Sequence, residues 1–166
     1  MNASLNTPLP KLKNVSSGFT LIELMVTIAV LAIIVSIAAP NISTQLANQR
    51  VKSTTATLVN ALKEAKAESI IRRQNVSVIY DSSATTKNIT LQANSISISS
   101  YNISEQSTIS ITPTTETTIV FQPNKLIASD NEISYLICDS GSSNETMRQV
   151  SVDKIANIST TNTGSC

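Results

Sequence analysis

Three hydropathy patterns follow one another along the chain. A polar stretch to Gly18 gives way to an apolar run, Phe19 to Ala39, in which Glu23 is the single charge. As an α-helix these 21 residues reach about 32 Å, which matches the hydrocarbon core of a bilayer. Proline lacks a backbone donor and crowds the preceding turn, so a break is predicted at Ala39-Pro40-Asn41. The second pattern is helical. From Ser43 to Arg73 there is neither Gly nor Pro, and Leu58, Leu62, Ala65 and Ser69 recur at spacings of four, three and four, the signature of one buried helical face. Lys63, Glu64, Lys66 and Arg72 occupy the opposite side. Glu64 with Glu68 and Lys63 with Lys66 are like-charge neighbours, so packing rather than surface pairing must hold this helix. Arg50 and Lys52 read as interfacial anchors near lipid headgroups.

After Gln74-Asn75 the period changes to two. Val76, Val78 and Tyr80; Ile89 and Leu91; Ile96 and Ile98; Ile109 and Ile111; Ile119 and Phe121; Ile133 to Ile137; and Val150 with Val152 read as about seven short strands. Segments rich in Ser, Thr and Asn separate them and supply turns through side-chain to backbone bonds. No helix alternates with these strands, so the sheet should be antiparallel, folded in one layer or two. The fold class is therefore α+β, a long N-terminal helix packed on an antiparallel β head. The expected boundaries are a leader at 1–18, a membrane and assembly helix at 19–39, an amphipathic helix at 40–75 and the head at 76–166.

Composition changes the picture in one direction. Histidine and tryptophan are absent, which removes the commonest general base and metal ligand and a main stacking residue. No enzyme, cofactor, metal or small-molecule substrate is expected. The whole chain carries a net charge of +1; without the leader lysines Lys11 and Lys13 it becomes −1. From Gln74 onward Lys87, Lys125, Arg148 and Lys154 face Asp81, Glu105, Glu116, Asp130, Glu132, Asp139, Glu145 and Asp153. Nucleic-acid affinity needs clustered cations on phosphates, and this acidic head offers none. Cys138 and Cys166 both fall outside the membrane if Lys11 and Lys13 stay in the cytoplasm, where an oxidising compartment lets them pair. The tail Thr160-Thr161-Asn162-Thr163-Gly164-Ser165 is too polar to dock by burying apolar area, so that bridge is its expected tether.

The order of parts at the N-terminus is the most specific signal. A secretory signal carries its small-residue cleavage site after the apolar run. Here Ser16-Ser17-Gly18 precede it, and a cut after Gly18 leaves the helix on the mature chain with Phe19 at its head. A carboxylate inside a membrane segment costs roughly 2.5 to 3.5 kcal/mol near the helix centre, less toward an end. Glu23 therefore calls for a partner, and the α-amino group of a neighbouring Phe19 is one. The competing reading is a carboxylate snorkelling at a helix N-terminus.

Gly18-Phe19-Thr20-Leu21-Ile22-Glu23 with the apolar run resembles the class III signal of type IV pilins and of the pseudopilins of type II secretion. The stretch from Leu58-Val59-Asn60-Ala61-Leu62 through Arg72-Arg73-Gln74-Asn75-Val76-Ser77-Val78, with Phe121, Cys138 and Arg148-Gln149-Val150-Ser151-Val152 in order after it, is similar to the GspH/FimT family. The resemblance implies the type IV pilin fold, cleavage by a prepilin peptidase after Gly18, N-methylation of Phe19, and Glu23 registering an incoming subunit. It further implies a minor pilin of the FimU/FimT kind that helps start assembly and sits at or near the tip, in service of twitching motility, adhesion or DNA uptake. Its partners would be other minor and major pilins and the inner-membrane assembly platform. A minor pseudopilin of type II secretion is the alternative. Some members carry a Gly-Arg pair and a further arginine near the C-terminus that contact DNA. Here the corresponding stretch is Ala156-Asn157-Ile158-Ser159 with no arginine after Arg148, so a DNA-binding tip receptor is not expected. The implied location is the bacterial inner membrane, N-terminus cytoplasmic and head periplasmic, and then the filament.

Overall fold

The structure, a computed structural model, describes residues 18–83, 86–142 and 144–166, and the side chains of all of these but 38–41. The chain divides into two units, Met1–Ala38 and Ala39–Cys166. Helix α1, Leu21–Arg72, contributes to both. Residues 1–17 of the leader predicted at 1–18 lie outside the described residues, and Pro40, where a break is expected, lies among those whose side chains are not described.

In the first unit every large apolar side chain of the helix is exposed, from Phe19 and Leu21 to Ile37. A helix that is apolar all round has no buried face of its own and must be covered by lipid or by other helices. Among the described residues no single helix is long and apolar enough to cross a membrane by length and hydropathy; Leu21–Ile37 together with Ile42–Arg72 passes that test as a pair.

The second unit holds the core. Ala47, Val51, Leu58, Ala61, Leu62, Ala65 and Ser69 are buried along one side of α1, the predicted stripe continued about three turns toward the N-terminus. The helix ends with Arg73 at φ 55° and the Gln74 N–H on the Ser69 carbonyl at 3.2 Å. That is the six-to-one bond of a Schellman cap, here with arginine in the left-handed position.

Among the described residues eight strands follow: β1 Val76–Asp81, β2 Asn88–Ala93, β3 Ile96–Asn102, β4 Ser107–Thr112, β5 Thr118–Phe121, β6 Ile133–Asp139, β7 Thr146–Val152 and β8 Ile158–Ser165. They form two antiparallel four-stranded sheets, ordered β3-β2-β1-β5 and β4-β6-β7-β8. Asn94 and Ser95, both at positive φ, make the two-residue β2–β3 turn, the conformation that the twist of adjoining strands favours. Alternate residues of β1, β2, β5 and β6 point inward, so Val76, Val78, Ile89, Leu91, Ile119, Phe121, Ile133, Tyr135 and Ile137 meet the helix stripe in one core. The sequence predicts about seven strands, and the eighth corrects both the count and the reading of the tail. Residues 158–165 form an edge strand on β7, held by backbone bonds that need no apolar side chain.

Candidate functional site

Gly18, Phe19 and Thr20 form an exposed approach to α1. Thr20 caps the helix: its Oγ1 accepts the Glu23 N–H at 3.2 Å and its carbonyl accepts the Leu24 N–H at 3.1 Å. Thr20-Leu21-Ile22-Glu23 thus has the Thr-x-x-Glu spacing of a capping box, a signal that the reading of Glu23 as a lone membrane charge passes over. Glu23 is exposed in the first turn, where the positive end of the helix dipole favours a carboxylate. Further along, the Thr27 and Ser36 hydroxyls donate to the carbonyls of Leu24 and Ile33, each at 2.8 Å. Both polar groups are satisfied by the helix itself, as an apolar environment requires. A Cβ added to Gly18 meets nothing within 4 Å among the described residues, so their packing makes no demand for glycine there.

Polar contacts tie the head to α1 at a lower and an upper level, with the buried Thr54 and Ser107 hydroxyls bonded at 2.7 Å between them. At the lower one Arg50 donates from Nε to Asp139 Oδ2 at 2.6 Å and from Nη2 to Oδ1 at 3.1 Å. The Asp139 side chain is fully buried while Arg50 keeps 30% exposure. The guanidinium bond holds the Asp139 carboxyl below its usual range and raises Arg50 above its own, against the opposing effect of burial on both. This corrects the expectation that Arg50 anchors to headgroups: it is the counterion of a strand residue, whereas Lys52 stays exposed. Beside it Gly141 N–H donates to Asp139 Oδ1 and Asp139 N–H to Glu145 Oε1, both at 2.9 Å. Asn48 Oδ1 on the helix accepts the Thr146 N–H at 2.9 Å. Cys138 and Cys166 are joined by a disulfide, and the Cys166 N–H reaches the Glu145 carbonyl at 3.1 Å.

At the upper level Glu64 accepts Ser99 Oγ at 2.6 Å and the Tyr101 hydroxyl, and Lys66 Nζ donates to the Ala156 carbonyl at 2.7 Å. The bond to Glu64 pushes the Tyr101 phenol up. These two residues read as surface positions in sequence, yet both bridge the helix to the head. Arg72 pairs with Glu68 one turn below it, an i,i+4 contact that tempers the like-charge crowding of this face. A shallow cleft at the helix end is lined by Arg72, Gln74, Asn94, Ser97, Ile96 and Ile98. Its lining brings together no nucleophile and base.

The first unit presents an apolar, capped helix, and in the second the head is tied to the α1 residues Asn48, Arg50, Glu64 and Lys66. Residues 13–39 match the family described as the prokaryotic N-terminal methylation motif. No curated protein sequence matches the chain. The fold is similar to crystal structures of the type IV minor pilin FimU of Pseudomonas aeruginosa strain PAO1. In space group P65 the TM-score is 0.54 at 16% identity, covering 71% of this chain and 98% of that one. In space group P21 it is 0.53 at 15% identity, covering 76% and 97%. At these identities the likeness shows the fold.

Proposed function

We propose that this chain, type IV pilin-like in its N-terminal motif and its fold, is a minor pilin. It helps start assembly of a filament and stays at or near the filament's tip. It would be cut after Gly18 and methylated on Phe19. It would wait in the inner membrane through the helix that begins there, head outward, until assembly draws it into a bundle of like helices. In that bundle Glu23 meets the amino group of a neighbouring subunit. The acidic head and the absence of arginine after Arg148 favour contact with protein partners over DNA.

The observation that carries this reading is the exposed apolar helix behind a methylation motif. Such a surface is stable only in lipid or among other helices, and a filament supplies the second. Deletion of the gene with counting of surface filaments and of secreted proteins tests it. Loss of filaments with normal secretion is the expected result. Loss of secretion with normal filaments would move the chain to the pseudopilins of type II secretion.

A further inference from the structure

We propose that the Cys138–Cys166 bridge is one state of a redox-gated site for a thiophilic divalent cation. In the dithiol state the two sulfurs and the Glu145 carboxylate hold the ion; oxidation to the disulfide releases it.

The three groups converge from different parts of the chain. Cys138 lies next to last in β6, Glu145 directly before β7, and Cys166 is the final residue, brought back by the β7–β8 pairing of Thr146 with Ser165. Both sulfurs and a carboxylate oxygen of Glu145 lie within 4.8 Å of one another. Glu145 is fully buried. Its Oε1 accepts the Asp139 N–H, but Oε2 has no hydrogen-bond partner among the described residues. The neighbouring cation, Arg50, is committed to both oxygens of Asp139. A buried carboxylate oxygen left unpaired is costly, and among the described residues the two cysteines lie in reach of Glu145 to relieve it by ligation to a shared cation.

The donor set selects the ion. Two thiolates and one carboxylate suit Zn2+ or Cd2+ and not Mg2+ or Ca2+. Zinc takes sulfur at about 2.3 Å and carboxylate oxygen at about 2.0 to 2.2 Å, leaving the fourth tetrahedral position to water. Once the S–S bond opens, ligand atoms within 4.8 Å of each other need little movement to surround one ion. The ladder between β7 and β8 and the Cys166 N–H bond to Glu145 keep both chain segments in place without the bridge. Cys166 is exposed, which gives the ion a path in.

The chemistry balances in two steps. A dithiol transfers two electrons and two protons to the bridge, becoming a disulfide itself and leaving two cysteine thiols. The ion then displaces the two thiol protons and binds the thiolates. In reverse, a disulfide oxidant takes the two electrons, the S–S bond re-forms and the ion leaves.

The test uses the full chain, extracted in detergent, reduced with a phosphine and freed of it without air. Cd2+ titration should give a thiolate-to-metal charge-transfer band saturating at one ion per chain, and the band should vanish on reoxidation. Glu145→Gln, which keeps the shape and the acceptor toward Asp139, should weaken the affinity at least about 10-fold. Absence of the band in the reduced wild-type chain overturns the proposal. So does equal affinity in Glu145→Gln, because two thiols in a loosened chain would then bind without the carboxylate.

Discussion

Arg50 on the helix and Asp139 at the end of β6, 89 residues apart in sequence, form a two-point ion pair in which the carboxylate is wholly buried and the arginine side chain keeps 30% exposure. The pair does for the lower head what apolar burial does higher up. It fixes where the second sheet sits along α1, with the Asn48 to Thr146 bond and the disulfide beside it.

Acid should loosen this contact. A group whose folded pKa is depressed stabilises the fold above its unfolded value, near 3.9 for aspartate, and that contribution is lost as pH falls through the lowered folded value. The unfolding free energy of the head should therefore fall below about pH 4. Asp139→Asn should remove part of that acid limb and cost roughly 2 to 3 kcal/mol at neutral pH, below the range for fully buried pairs because Arg50 is partly solvated. Denaturant titrations from pH 7 down to 3 measure both effects; an unchanged midpoint in Asp139→Asn would mean the pair is energetically silent.

Processing should depend on Gly18 without any loss of folding. Among the described residues nothing lies within 4 Å of a Cβ there, so Gly18→Val should leave the head intact and accumulate as a precursor heavier by residues 1–18. Mass spectrometry of the membrane-extracted protein reads it directly. A wild-type chain that still begins at Met1 would remove the pilin reading.

Glu23 and Thr20 can be separated. If the carboxylate serves mainly to meet a neighbour's amino group, Glu23→Ala should insert and be cleaved but fail to enter filaments. Thr20→Ala, which loses only the capping hydroxyl at a cost of about 1 kcal/mol, should still enter them. Equal incorporation of Glu23→Ala and wild type, scored in purified filaments, would reduce the carboxylate to a helix-start residue.

The bridge should add to a strand that already holds the tail. Cys166→Ser opens a loop spanning a sequence separation of 28, worth roughly 3 to 4 kcal/mol on the chain-entropy model. A melting temperature lower by about 10 °C is expected for a head of this size. Residues 158–165 should keep their pairing with β7. Amide exchange of β8 as fast as in an unfolded peptide would show that the bridge alone secures the tail.

Much of this molecule is written in local sequence. The apolar run behind Gly18, the Leu58, Leu62, Ala65 and Ser69 stripe, and the alternation of Val76, Val78 and Tyr80 each encode an element through its own period, because burial of one face is a property of residues a few positions apart. The two cysteines were legible as a pair because they are alone. What the sequence could not supply was the partner of each polar residue. Arg50 and Lys52 look alike as near neighbours on a helix, and only the return of β6 gives one of them a buried carboxylate and leaves the other in solvent. Glu64 and Lys66 become bridges only once β3 and the Ala156 loop lie against them. The tail 158–165 has no apolar period to announce it; it is a strand because β7 offers an open edge of backbone donors and acceptors. Pairing of that kind depends on residues tens of positions apart meeting in space, so the tertiary structure decides it.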